Sequence, residues 1–216
     1  METEPVEASR GSAFTADAGP AALEPAAVEA LLLNLDASLR VHARAHFFNW
    51  TQGLLQSLIR HEVLICALRG ADVHSFRVDS FATAAAQPAL FGELFQRDPS
   101  VQGLLNEWRE HGYLPIACVA RQGGALCGGE FGREVEGIGA SEILAHGVCD
   151  ADGQASSFFV FCCRPGTAGA KQRYLVQLAL PALHAAWIRA QAEGHVGTGG
   201  RSAPAAAAVL TPREQE

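Results

Sequence analysis

The first apolar stretch of the chain follows a helical period. Its large apolar residues recur at spacings of three and four, which predicts an amphipathic helix. They are Val28, Leu31, Leu32, Leu35 and Leu39. Order is expected to begin at Leu23, and Pro25 suits the first position of this helix. A second apolar helix is predicted over residues 47–59, and the two could be one long bent helix.

From residue 62 onward the period becomes that of strands. Residues 62–68 are a continuous apolar run, and residues 73–80 alternate after a turn at Gly70. Together they predict an antiparallel hairpin. Residues 86–111 are typical of a helix that is broken at Asp98 and Pro99, with Asp98 as the N-cap of the second half.

The second half of the chain holds the clearest hairpin signal. Residues 143–149 and 156–163 flank Asp150-Ala151-Asp152-Gly153, a turn whose glycine can take positive φ. A further strand is predicted over 114–120 and a short helix over 134–143. A last helix over 170–193 contains Pro181, which should kink it. Helices around a central antiparallel sheet of about five strands predict an α+β sandwich.

The composition is that of a folded domain, and it limits the partners and the compartment that we expect for the protein. With 49% hydrophobic and 18% charged residues, the 216-residue chain is neither disordered nor fibrous. Its formal charge of −7 makes it a poor nucleic-acid binder as it stands, because phosphate contacts need cationic excess. No apolar run reaches the ~18 residues of a spanning helix, and the start Met1-Glu2-Thr3-Glu4 is no signal peptide. The sequence therefore predicts a cytoplasmic protein without membrane contact, with reduced thiols.

Cysteine and histidine spacing gives no metal site. No C-x2-C occurs, and adjacent Cys162 and Cys163 on a strand point to opposite faces. The cysteines are expected to be structural thiols, with redox sensing as the alternative. No phosphate-binding glycine motif and no nucleophile–base set emerge, so we expect no metal, no cofactor, no catalytic residues and no enzymatic activity.

Four residues are candidates for a ligand pocket. They are Trp50, His61, His146 and Phe159. Tryptophan or phenylalanine on an apolar face more commonly packs in a core, and single histidines on apolar elements are commonly satisfied core groups. Both readings stay open: a filled core, or a pocket in which His61 and His146 reach a polar ligand group.

The two ends of the chain differ in composition from the domain between them. Residues 1–22 are expected to be a disordered leader, 23–193 the folded domain, and 194–209 a flexible linker. Residues 210–216 read Leu-Thr-Pro-Arg-Glu-Gln-Glu, in which Thr211 can be an N-cap and Glu214 can close a capping box. This predicts that a new helix starts there.

As a string, residues 210–216 resemble the opening of the helix-turn-helix domain of LuxR-type transcription regulators, Leu-Thr-x-Arg-Glu-x-Glu. The matching positions are Leu210, Thr211, Arg213, Glu214 and Glu216. In that family these residues cap and pack the first helix, and the recognition helix follows further on. The resemblance implies a regulator cut just inside its DNA-binding domain, so that DNA contact occurs only through the missing C-terminal domain.

The upstream domain is similar to the N-terminal domain of EpsA-type regulators associated with exosortase and exopolysaccharide gene clusters. The matching stretches are residues 48–66, 144–148, 156–161 and 180–186. This resemblance implies a GAF-like or autoinducer-domain-like α/β sandwich. The lactone pocket of LuxR-type receptors does not carry over, because Trp50 is followed four residues on by Leu54 in place of tyrosine and no Pro-Trp-Gly occurs.

The resemblance therefore implies the sensory and dimerisation domain of a LuxR-type regulator that controls exopolysaccharide synthesis. A homodimer is expected, with Val28, Leu31, Leu32, Leu35 and Leu39 either covering their own sheet or pairing with a second chain. The ligand is unknown. The alternative is a stand-alone GAF-like small-molecule sensor or dimerisation module without DNA binding.

Overall fold

The computed structural model describes residues 23–70, 75–82, 88–120 and 128–196. The predicted leader, nearly all of the predicted linker and the 210–216 motif lie outside these residues. The helices are α1 (Pro25–Leu39), α2 (Arg44–Gln52), a 3-10 helix (Leu54–Ser57), α3 (Pro88–Arg97), α4 (Pro99–Glu110), α5 (Glu130–Gly137) and α6 (Ala170–Val196). The strands are β1 (Val63–Arg69), β2 (Phe76–Ala82), β3 (Ile116–Val119), β4 (Glu142–Cys149) and β5 (Ala155–Cys163).

The five strands form one sheet in the order β2-β1-β5-β4-β3, and every neighbouring pair is antiparallel. Helices flank both faces, which confirms the α+β sandwich with a five-stranded antiparallel sheet. β5 is the central strand and its side chains alternate between two cores: Phe159 and Phe161 face α1, α2 and α6, whereas Phe158 and Val160 face α3, α4 and α5. A strand buried on both faces explains why this run reads as continuously apolar.

The predicted break between two helices is confirmed at Asp98. Asp98 separates α3 from α4, and its Oδ1 accepts a hydrogen bond from the Ser100 N–H at 2.9 Å. Its Oδ2 accepts from the Phe131 N–H of α5 at 2.8 Å. Asp98 therefore caps α4 and also holds the start of α5, so the three helices of this layer meet at one carboxylate.

Two separate helices are present, as predicted, because α1 ends at Leu39 and α2 begins at Arg44, and the alternative of one long bent helix is wrong. Other helix boundaries differ from the prediction, and the apolar run of 47–59 is helical only to Gln52 before a 3-10 turn. The break lies at Gly53, whose φ of −111° and ψ of −99° are not helical. The helix predicted over 134–143 starts earlier, at Glu130, because Phe131 and Val135 face the core.

The last helix is longer than predicted and continues through Pro181 to Val196. The loop that precedes it is held by Glu142 of β4. The Glu142 carboxylate accepts hydrogen bonds from the backbone N–H groups of Gly166, Thr167 and Ala168 at 2.7–3.0 Å. Glu142 therefore ties the loop before α6 to the sheet.

Candidate functional site

Trp50 lies on α2 and is buried in the core that α1, α2 and α6 form with the sheet. Its indole N–H donates a hydrogen bond to Oδ1 of Asn34 at 3.1 Å. The Asn34 amide in turn donates to the Ala30 carbonyl at 2.8 Å. Trp50 therefore fastens α1 to α2, and its polar atom is already satisfied inside the protein.

His61 lies just before β1, in the loop that leaves the 3-10 helix, and only 5% of it is exposed. Burial lowers the pKa of His61 to about 4, although the hydrogen bond to Ile59 and the charge of Glu62 act in the opposite direction. The ring is therefore neutral at pH 7. Its Nδ1 lies 2.8 Å from the Ile59 carbonyl oxygen, which assigns the proton to Nδ1. Nε2 then accepts from the Gln52 amide at 3.3 Å.

A groove of about 440 Å³ lies beside His61. Its lining residues are Gln56, Ser57, Arg60, His61, Glu62, Arg164 and Thr167. Arg164 Nε donates to Glu62 Oε1 at 2.6 Å. Gln56 holds the His61 backbone from both sides, donating to its carbonyl at 2.9 Å and accepting from its N–H at 3.1 Å. Among the four predicted pocket residues, His61 is the one that borders this groove.

His146 lies on β4 opposite Phe159 of β5 and is also buried. The indole N–H of Trp108 on α4 donates to its Nδ1 at 3.2 Å. Burial lowers the pKa of His146 to about 4, so this ring is neutral at pH 7 as well. Because Nδ1 accepts, the proton belongs on Nε2, the opposite tautomer from His61.

Trp108 was not predicted from the sequence, which indicated Trp50 as the candidate tryptophan. It is fully buried, stands edge-on to Tyr113 at 5.1 Å between ring centroids, and lies 5.3 Å from the Phe158 ring. The signal was present, because Val101, Leu104, Leu105 and Trp108 follow a helical period along α4. A Cβ on Gly147 would lie 2.9 Å from this indole, so Gly147 makes room for it.

Phe159 is fully buried in the middle of β5, in the same core as Trp50. His146 is its cross-strand partner, and His61 contacts the next residue on that face, Phe161, edge-on at 5.3 Å. Trp50 and Phe159 thus share one core, which His61 borders through Phe161, whereas His146 pairs with Phe159 across the strands and is hydrogen-bonded to Trp108 of the other core. Their role as a ligand pocket stays a prediction.

One serine–histidine pair has the composition of a catalytic pair. Ser157 Oγ of β5 lies 2.8 Å from Nδ1 of His184 on α6. Ser157 is fully buried, and burial also lowers the pKa of His184. A hydroxyl without solvent access cannot attack a substrate from outside, so this hydrogen bond ties α6 to the sheet.

The cysteines fit structural thiols. Cys66, Cys162 and Cys163 are buried, and burial raises the pKa of each thiol, that of Cys163 to about 12. They are therefore protonated at neutral pH. Over the described ranges, no group of three or more His, Cys, Asp and Glu side chains could hold a metal ion.

The stripe predicted for dimerisation divides between two sides of α1. Leu31 packs against the core, and Leu35 is half-buried. Val28, Leu32 and Leu39 are exposed, and Leu33, which the prediction did not include, is exposed beside them. The residues that resemble the start of a helix-turn-helix domain lie outside the described residues; they are Leu210, Thr211, Arg213, Glu214 and Glu216.

No known protein-family model matches the chain, and its sequence matches no curated protein. Its structure is similar to that of CepR2, an N-acylhomoserine lactone dependent LuxR-family transcription factor from Burkholderia cenocepacia. The identity is 14% and the TM-score 0.50, over 74% of this chain and 92% of that one. The fold is therefore similar to that of this LuxR-family protein.

Two GAF domains are also similar in structure. The A. Aeolicus nlh2 GAF domain, in an inactive state, has 10% identity and a TM-score of 0.47, over 76% of this chain and 96% of that one. GAF3 of a Synechocystis sp. PCC6803 protein, in its photoproduct state, has 13% identity and a TM-score of 0.43, over 71% and 98%. No described helix combines the length and apolar character that crossing a bilayer requires.

Proposed function

We propose that residues 23–193 are the regulatory domain of a bacterial LuxR-type DNA-binding transcription regulator that controls exopolysaccharide biosynthesis genes. The observation that carries the proposal is the heptapeptide 210–216, which resembles the first residues of a LuxR-type helix-turn-helix domain. It follows a domain whose fold is similar to that of a LuxR-family transcription factor. The two observations are independent, since one is a sequence string and the other a fold.

The mechanism is indirect. The acidic domain itself, in a chain of net charge −7, does not contact DNA; it positions DNA-binding domains that begin at Leu210. A ligand or partner acts by shifting the population of the arrangement that fits two half-sites. No enzymatic step is part of this function.

The signal that this domain receives is not a lactone bound as in the receptors. Trp50 is committed to Asn34, and Leu54, at the place of the receptors' tyrosine, has 39% of its surface exposed on the 3-10 helix. A side chain that points outward cannot line an internal pocket. The exopolysaccharide role rests on the EpsA-like stretches, such as residues 48–66 and 156–161.

Gene deletion followed by RNA sequencing tests this function. Loss of the gene should change transcripts of exopolysaccharide genes severalfold, and the locus with its downstream sequence should restore them. The matched control is a complementing allele with Arg213→Ala and Glu214→Ala. These substitutions should weaken the DNA-binding domain, so this allele should fail to restore the transcripts. Unchanged transcripts in the deletion strain, or full rescue by the double variant, would contradict the proposal and favour a stand-alone sensor.

A further inference from the structure

The groove beside His61 lies outside both cores of the domain. Its lining comes from two segments: residues 56–62, which lead from the 3-10 helix into β1, and residues 164–167, which follow β5. The Glu62 N–H donates to the Cys162 carbonyl at 2.8 Å, which places the two segments side by side. None of the lining residues belongs to either hydrophobic core. The groove is therefore separate from the internal pocket that the sequence predicts.

We call this site the arginine groove, after Arg60 and Arg164, and both of its walls are held by hydrogen bonds. On one wall Gln56 bonds the backbone of His61 at both the N–H and the carbonyl. The other wall is the loop whose N–H groups donate to the Glu142 carboxylate. A ligand can therefore bind without first ordering either wall, which lowers the cost of association.

The arginine groove carries an excess of positive charge in an acidic chain. Two arginines and one glutamate line it, whereas the whole chain has a net charge of −7. Arg164 is paired with Glu62, but Arg60 makes no hydrogen bond or ion pair within the described ranges. His61 adds no charge at pH 7, since burial lowers its pKa to about 4. The excess is one free guanidinium, whose planar fork of N–H donors matches a carboxylate.

We propose that the arginine groove binds a small polyhydroxylated carboxylate, the chemical class of the sugar acids. Arg60 holds the carboxylate of the ligand, and the other lining groups receive its hydroxyls. The hydroxyls of Ser57 and Thr167 donate to backbone carbonyls at 2.7 and 2.6 Å, so their oxygens can accept from the ligand. Glu62 adds a carboxylate, which only accepts.

Size and charge disfavour other occupants. At about 440 Å³ the groove is within the range of roughly 300–1,000 Å³ that is typical of small-molecule sites. A neutral sugar would leave Arg60 unpaired, and a phosphate monoester would bring close to two negative charges toward one excess positive charge. Nucleic acid is repelled by the acidic chain. The inference goes beyond the proposed function and does not depend on it, because every lining residue lies in the folded domain.

NMR titration of ¹⁵N-labelled residues 1–216 with sodium glucuronate, and separately with sodium gluconate, tests this site. The backbone amide signals of residues 56–62 and 164–168 should shift most and should saturate with a dissociation constant of roughly 1 mM. Glucose and glucose 6-phosphate should each bind at least tenfold more weakly. No saturable shift with either sugar acid, or equal or tighter binding of glucose or glucose 6-phosphate, would overturn the proposal.

Arg60→Ala should weaken binding of the sugar acid at least tenfold, with the amide spectrum unchanged away from the groove. The matched control is Arg133→Ala, at an exposed arginine of α5, which should bind like the unaltered chain. An unchanged affinity of Arg60→Ala would contradict the assignment of the carboxylate to this guanidinium.

Glu62→Gln separates a charge effect from a disturbance of the loop. It removes the negative charge that faces the ligand, so the sugar acid should bind severalfold more tightly, whereas a disturbed loop would weaken binding in this variant as well as in Arg60→Ala. Weaker binding by Glu62→Gln would therefore overturn the proposal. The titration contains no DNA, so a failed titration leaves the transcriptional role standing, and an unchanged transcriptome leaves the titration result standing.

Discussion

The indole N–H of Trp108 donates a hydrogen bond to Nδ1 of His146 at 3.2 Å, and both residues are buried. This bond joins α4 to β4 and fixes the neutral tautomer of a histidine inside the fold. Trp187 offers the contrast, because its buried indole nitrogen has no hydrogen-bond partner among the residues that the structure describes. The two tryptophans therefore differ in the hydrogen bonding of their indole nitrogens, although both side chains are fully buried.

Replacing each tryptophan by phenylalanine isolates the value of this hydrogen bond. Both variants lose the same atoms, but only Trp108→Phe leaves a buried acceptor without its donor. We expect Trp108→Phe to lower the free energy of unfolding by about 1–3 kcal/mol more than Trp187→Phe does. Urea unfolding of both variants measures the difference, and equal losses would show that the bond contributes nothing.

Acidification should destabilise the domain before its carboxylates titrate. His61 and His146 have a folded pKa of about 4, below the ordinary 6.5. Between these values the unfolded chain binds protons that the folded chain does not, so stability falls as pH drops from 6.5 toward 4. In that window each histidine lowers the free energy of unfolding by about 1.4 kcal/mol for each pH unit of acidification. Above pH 6.5 it causes no pH dependence of stability.

Urea unfolding at pH 7.5, 6.5, 5.5 and 4.5 measures this dependence. His146→Gln should remove one histidine's share of the slope. His42→Gln, at an exposed position, is the matched control and should leave the slope unchanged. A flat profile from pH 6.5 to 4.5 in the unaltered chain would refute buried neutral histidines.

Asp98 should contribute far more to the free energy of unfolding than an ordinary surface aspartate does. Burial raises the pKa of Asp98, but hydrogen bonds from the N–H groups of Phe131, Ser100 and Glu130 outweigh it and lower the pKa. Asp98→Ala removes a cap and the link to α5, so we expect a loss of about 2–4 kcal/mol. Asp36→Ala, which breaks only the exposed ion pair with Arg40, should cost under about 1 kcal/mol.

Thermal and urea unfolding of the two aspartate variants give the comparison. The stabilisation from Asp98 should be present above the ordinary pKa of an aspartate and should disappear as the pH falls below it. If Asp98→Ala costs no more than Asp36→Ala, Asp98 does not join the three helices.

Phe159→Ala distinguishes a packed core from a pocket wall. Phe159 is fully buried on the central strand, so a packed core predicts a loss of about 3–5 kcal/mol. At the wall of an open pocket the loss would be much smaller and the fold would persist. Phe48→Ala, at a 40% exposed phenylalanine of α2, is the control, and it should cost well below the core value.

Local signals were sufficient for most of the fold. The break at Asp98, the hairpin of β4 and β5, and the antiparallel sheet follow from turn residues, capping chemistry and runs of apolar residues that act over a few positions. Gly53 shows the limit of such signals. The apolar period continues past Gly53, but the helix ends there. A Cβ at Gly53 would lie 2.6 Å from the Asn49 carbonyl oxygen, a contact that no apolar pattern reveals.

The candidate site depended on contacts that the sequence does not contain. Trp108 and His146 are 38 positions apart, and no local pattern pairs them. Leu31 and Leu32 are neighbours on one predicted stripe, but packing against a core that includes α6, whose residues come much later in the chain, partly buries only the first. Periodicity places side chains on a helix face, and tertiary contacts decide which part of that face is covered.

DNA binding is the most direct test of the central claim that this is the regulatory domain of a transcription regulator. The measurement is a fluorescence anisotropy titration with promoter DNA of the genes that respond to deletion, at stated salt, using protein expressed from the locus with its downstream coding sequence. That protein should bind these promoters at least a hundredfold more tightly than scrambled DNA, and residues 1–216 alone should not discriminate. Equal affinity of the locus-encoded protein for promoter and scrambled DNA, or sequence-specific binding by residues 1–216, would contradict the account.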